Sequence, residues 1–155
     1  MSTPRAGDWG ARDAGWVEVE TSRHHDHVVA HVVGATVLGY FVADEAAHLL
    51  LDIGFFWIIY ADGEMGLVAE STTIAELNAN DETRTLVRED ADALRRDGSG
   101  AQGLSLMRAA PAGCLVEEVT LYGSGARRRL VVRGEVSGLE IEGSTLGERI
   151  EIHEL

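Results

Sequence analysis

Apolar runs separated by short polar breaks divide the chain into a strand-rich first half, one amphipathic helix and a strand-rich last third. Between Val28 and Val42 the sequence VVAHVVGATVLGYFV is dense in β-branched and aromatic residues, which suits a long, mostly buried strand with Gly34 and Gly39 marking a bend or bulge. A helix is the rival, because Val28/Val29 and Val32/Val33 fit a helical stripe; the β-branched density and the two glycines favour the strand. Asp44 to Asp52 reads as a short helix with Asp44 as N-cap and Gly54 just past its end, a strand being the alternative. Phe55 to Tyr60 is a continuous aromatic and β-branched run leading into Asp62-Gly63, a dipeptide that favours a tight primed turn, and Met65 to Ala69 returns as the second strand of a hairpin.

Farther along, Thr73-Ile74-Ala75-Glu76 has the spacing of a capping box. Asn80 or Asp81 then caps a helix whose Leu86, Val87, Ala91 and Leu94 share one face and which ends on Arg95 and Arg96 before Gly98. Gly98 to Gly103 forms a loop. Strands follow at Leu115 to Tyr122 and, after a Gly123-Ser124-Gly125 turn, at Arg128 to Val136, where Leu130, Val132 and Val136 alternate with Arg129, Arg133 and Glu135 to give one wet face. Shorter strands fall around Leu139 to Ile141 and Ile150 to Ile152. The pattern predicts an α+β fold: one or two antiparallel sheets, one or two helices packed on a face, and a strand-rich C-terminal third.

Length and composition sharpen this picture. The 155 residues suffice for one core, expected over residues 16–155, and the small, polar first fifteen residues read as a flexible arm without the apolar stretch of a secretory signal. Asp and Glu number 26 against 13 basic residues, all of them Arg, for a net charge of -13. Such a field repels phosphate backbones, so nucleic acid is not an expected partner. Absence of Lys is read as the mark of a GC-rich genome in preference to salt adaptation. The apolar stretches Val28 to Ala43 and Ala46 to Ala61 fall short of the ~20 residues that span a bilayer and carry ionisable groups, so the chain is expected to be soluble and cytoplasmic, with no membrane partner. A single cysteine, Cys114, permits no internal disulfide and reads as a small buried hydrophobe. The apolar strand surface around residues 28 to 69, large for so few helices, predicts a homodimer.

Chemistry-bearing residues are sparse. Five of the six histidines lie between His24 and His48. On a strand, His25 and His27 would project from one face roughly 6 to 7 Å apart and share a metal ion, zinc being the candidate, with His48, Asp52 or Glu64 as third ligand and His48 preferred. On a helix, His27 and His31 become the neighbours instead. The competing reading makes His24, Asp26 and His27 a polar turn and His31 a core residue. Asp52, Asp62 and Glu64 beside the aromatic run Phe55 to Tyr60 could line a small-molecule pocket, although turn chemistry explains them better. The triplet Arg127-Arg128-Arg129 reads as a salt-paired face opposite Glu117 or Glu118. No nucleotide-binding loop or nucleophile elbow occurs. The favoured function is a non-enzymatic binding or protein-interaction module; the alternative is a small metal-dependent enzyme or metal-binding protein using the His24 to His48 region.

Overall fold

The computed structural model describes residues 15–43, 45–62, 66–72, 77, 79–145 and 150–155. A two-residue strand, β1 (Val17–Glu18), precedes α1 (Arg23–Val32). The sequence carries α1's start signal: Ser22 Oγ accepts the His25 N–H at 3.1 Å, satisfying one of the donors a helix leaves open at its N-terminus. Its end is set by Gly34, whose φ of 95° lies in the left-handed region that glycine tolerates. The strand expected from Val28 is therefore two elements. The valines up to Val32 belong to α1, with Val28 and Val32 buried on one face, and the chain turns before β2 (Val37–Ala43) begins.

β2, β3 (Ala46–Leu51), β4 (Phe56–Asp62) and β5 (Gly66–Thr72) form an antiparallel meander, and β6 (Arg108–Ala109) adds to β2, giving the order β5-β4-β3-β2-β6. The helix expected over Asp44 to Asp52 is thus corrected to a strand. All six residues of β3 are buried, so the segment shows no polar alternation from which a strand would be read. Gly39 does sit at a bulge, where the β2–β3 register shifts between Val37 and Gly39. A Cβ there would meet Leu94 Cδ1 at 2.4 Å and Arg108 O at 2.8 Å, so the bare backbone is what lets the helix over β2 approach closely.

That helix, α2 (Asp81–Asp97), matches its sequence signals. Asn80 Oδ1 accepts the Thr83 N–H at 2.8 Å, Arg95 and Arg96 occupy the last turn, and Gly98 is the C-cap. Val87, Ala91 and Leu94 pack with Phe41, Leu50 and Phe56 on one face of the first sheet. The remaining strands, β7 (Glu118–Ser124), β8 (Arg127–Arg133), β9 (Gly138–Ser144) and β10 (Glu151–Glu154), make a second antiparallel meander ordered β1-β7-β8-β9-β10. Its Leu121, Leu130, Val132, Leu139 and Ile141 meet Leu49, Leu51, Trp57 and Ile59 of the first sheet. The result is an α+β stack of three layers: α2, then one five-stranded sheet, then the other.

The outer face of the second sheet departs from the expected wet face. Leu130 and Val132 point inward as expected, whereas Val136 lies exposed beyond β8 and Arg129 is buried. Arg129 Nε stands 2.9 Å from Glu140 Oε1 and its Nη2 3.2 Å from Glu142 Oε1, under the ring of Trp16, whose centroid is 4.1 Å from the guanidinium carbon. The partners of Arg127 and Arg129 are thus on β9; Glu118 pairs instead with Arg133, at 3.9 Å. Burial opposes ionisation of Glu142, but hydrogen bonds from Arg127 and Arg129 outweigh it and hold the carboxyl below its ordinary range.

The expected Asp62-Gly63 turn, the Thr73 to Glu76 capping box and the N-terminal arm lie wholly or mainly outside the described residues, as does Glu64.

Candidate functional site

The edge of the first sheet at β2 is covered in pieces. At the start of the strand, Val37 N–H donates to Cys114 O at 2.8 Å, and Thr36 bridges Leu115. Next, Ala110 N–H donates to Leu38 O at 3.0 Å, and β6 pairs Ala109 with Gly39 and Arg108 with Tyr40. Pairing ends there. Among the described residues no strand lies against the outer edge of Phe41 to Ala43, the last three of the seven residues of β2.

A groove of about 480 Å³ opens along this stretch. Its wall includes Tyr40, Phe41, Val42 and Ala43, residues from both faces of β2, together with Thr83 of α2 above and Ile152 of β10 below. Only a strand edge sees both layers at once, so the groove runs along the edge and not over a face. Leu106 and Arg108, on the β6 side, also line it. Asp90, buried on α2, positions that side: its carboxylate accepts the N–H groups of Ser105, Leu106 and Met107 at 2.9, 2.7 and 2.8 Å. Three successive amides wrapped around one carboxylate fix the loop ahead of β6 and hence where β6 begins.

Tyr40 and Arg108 bring polar groups into the lining. Tyr40 Oη donates to Glu154 Oε2 at 2.5 Å, tying β2 to β10 across the two sheets. Burial, reinforced by the Glu154 carboxylate, pushes the Tyr40 hydroxyl up to about 12, with Arg108 pulling in the opposite direction. Acidic residues are sequence neighbours of two lining residues: Asp81, which pairs with Arg84, and Glu82 precede Thr83 in the first turn of α2, and Glu151 and Glu154 share β10 with Ile152. Among the described lining residues Arg108 is the one basic side chain.

The histidines named from the sequence separate. His25 is buried on the face of α1 that carries Val28 and Val32 toward the inter-sheet core. His27 lies on the exposed face of α1, where helical spacing puts residues two apart on opposite sides. His48 sits on the α2 side of the first sheet, its ring stacked on Phe41 with centroids 4.4 Å apart, and its Nδ1–H donates to Ala46 O at 3.1 Å. Among the described residues no three His, Cys, Asp or Glu side chains gather where one ion would be held. Asp52 instead accepts the Thr36 N–H at 3.0 Å and braces the turn between β3 and β4. His31 is exposed, not a core residue, and its Nε2 is 3.2 Å from that of His27.

Buried and unpaired, Cys114 is held away from nucleophilic chemistry, since burial pushes its thiol up to about 11. Among the described residues no helix is long and apolar enough to cross a membrane.

Comparison with protein families, curated proteins and solved structures returns no match to this chain.

Sequence reasoning missed the groove. Its one legible signal was Gly39, read as a bulge; the place where β6 begins depends on Asp90 gripping a loop fifteen residues downstream.

Proposed function

We propose that this chain is a non-enzymatic protein-interaction module that receives an extended polypeptide segment along the open edge of β2. The observation that carries this reading is the outer edge of Phe41 to Ala43, against which no strand of the described residues is paired, in the wall of an apolar groove. An added strand would draw affinity from backbone hydrogen bonds to β2 and selectivity from alternate side chains lodged against Phe41, Leu106 and Ile152. Charge defines the occupant further. A chain of net charge -13, with Glu154 against the Tyr40 of the lining and Asp81 and Glu82 next to Thr83 along α2, favours a segment with apolar residues inside and basic residues at its ends. The buried lone thiol suits a reducing compartment, and we assign the module to the cytoplasm on that ground.

The homodimer expected from sequence is the competing occupant. Its original ground is reduced, because the apolar faces of β2 to β4 are covered within the chain by α2 and the second sheet. A second copy would have to use the edge.

Fluorescence anisotropy with synthetic nonapeptides of alternating Val, flanked by Arg or by Glu, tests the reading. The Arg-flanked peptide is expected to bind in the micromolar range, and Val42→Pro, which removes a strand-edge N–H, is expected to weaken it about ten-fold or more. N-methylation of alternate peptide amides should do the same when the methyl groups face β2 and leave binding intact when they face away. Equal binding by both methylated forms overturns strand addition. Failure of every peptide, together with a sedimenting dimer that Val42→Pro disperses, replaces the peptide by a second copy.

A further inference from the structure

The helical conformation of residues 23–32 gives the histidine cluster a geometry that a strand would not. His24, His27 and His31 fall on successive turns of the exposed side of α1, away from the buried His25, Val28 and Val32. Of these, His27 and His31 stand four apart, the spacing at which side chains on a helix meet. Their Nε2 atoms are 3.2 Å apart, with ring centroids at 4.7 Å and planes crossing at 81°. Two neutral imidazoles in this position aim two ring nitrogens at one small volume, which a shared proton or a metal ion can fill.

Metal geometry matches that volume. Two imidazole nitrogens bound to zinc at ~2.05 Å stand roughly 3.3 to 3.4 Å apart at a tetrahedral angle and about 2.9 Å apart at a right angle. The observed 3.2 Å lies between the two, so adjustments of a few tenths of an ångström, within the reach of exposed side chains, complete either arrangement. The helix backbone has already fixed the separation of the two residues, so little ordering remains to oppose chelation.

We propose that His27 and His31 form a bidentate site for a divalent transition-metal ion of the class that imidazole favours: zinc, copper(II) or nickel. Water supplies the remaining positions, since the described residues gather no third His, Cys, Asp or Glu around the pair. The ligand pair differs from the His25, His27 and His48 set expected from sequence: His27 is kept, and its partner is the residue one helical turn on. The site is also separate from the β2 groove. α1 packs beside β5, at the other edge of the first sheet from β6, so the two proposals stand or fall independently.

Calorimetric titration of zinc chloride alone into the untagged full chain is the test, with imidazole ¹⁵N spectra recorded alongside. The expected result is one zinc per chain in the micromolar range, with the His27 and His31 Nε2 signals moving. His27→Ala and His31→Ala should each weaken binding ten-fold or more, and His153→Ala, at an exposed histidine in β10, should leave it unchanged. Circular dichroism of the two variants shows whether α1 persists, and His31→Gln supplies a second, helix-compatible replacement. No binding by the wild type at millimolar zinc overturns the proposal. So does binding that survives both His31 substitutions.

Discussion

His25 shows how one buried imidazole couples the fold to proton concentration. Among the described residues its Nδ1 has no hydrogen-bond partner. Burial lowers its pKa, with Asp26 partly opposing and His24 adding to the shift. The neutral form is therefore the one the folded state accepts. An unfolded chain takes up the proton first, near the ordinary value of about 6.5, so the stability tied to a neutral His25 is complete above that pH and is lost as pH falls toward the lower folded value. Urea unfolding between about pH 8 and pH 5 should show stability declining over this window. His25→Leu, which removes the ionisable ring from an apolar site, should flatten the decline and leave stability at pH 8 equal or higher. A slope unchanged by the substitution would assign the acid sensitivity to other groups. Glu142, held low by its arginines, adds a loss of the same sign at more acid pH.

Among the polar contacts that join elements, Asp90 accounts for three hydrogen bonds. It lies on the buried stripe of α2 among Val87, Ala91 and Leu94, yet it is satisfied by the three amides of residues 105 to 107. Asp90→Asn keeps the shape, removes the charge and sets an NH₂ against backbone donors. The expected cost is about 2 to 4 kcal/mol in urea denaturation. Peptide binding in the groove should weaken beyond what the folded fraction accounts for, because Leu106 is released with the loop. α2 itself was legible: Asn80, the apolar stripe, the terminal arginines and Gly98 are local signals and all act locally. The region before it was not. Val28 to Val33 carry β-branched residues that disfavour a helix, but the Ser22 cap, Gly34 and burial of Val28 and Val32 outweigh propensity. β3 escaped recognition for the opposite reason, since a strand buried on both faces loses the alternation that marks strands. Arg129 was read as wet because Trp16 and Glu140, which cover and pair it, lie on other strands or far upstream.

On the scale of the whole molecule, charge is the dominant long-range term. Thirteen excess negative charges repel one another in the compact state more than in the expanded one. Raising sodium chloride from ~10 mM to ~0.5 M contracts the screening length from roughly 30 Å to about 4 Å, and the melting temperature should climb by several degrees in differential scanning calorimetry. A flat or falling curve would mean that local ion pairs such as Arg127–Glu142 matter more than net repulsion. The same titration weighs salt adaptation against genome composition, because continued stabilisation into molar salt favours the former.

The position of β3 at the middle of the stack has a consequence for biosynthesis. One side of this strand is covered by α2, whose last residue is Asp97, but the other is covered by strands that begin at Glu118. While the chain is leaving the ribosome, Leu49 and Leu51 lack the cover of the second sheet until that meander has been made. Folding of the central sheet must therefore wait until the second sheet has been synthesised, and the half-made protein is the form in which a chaperone has the most to hold.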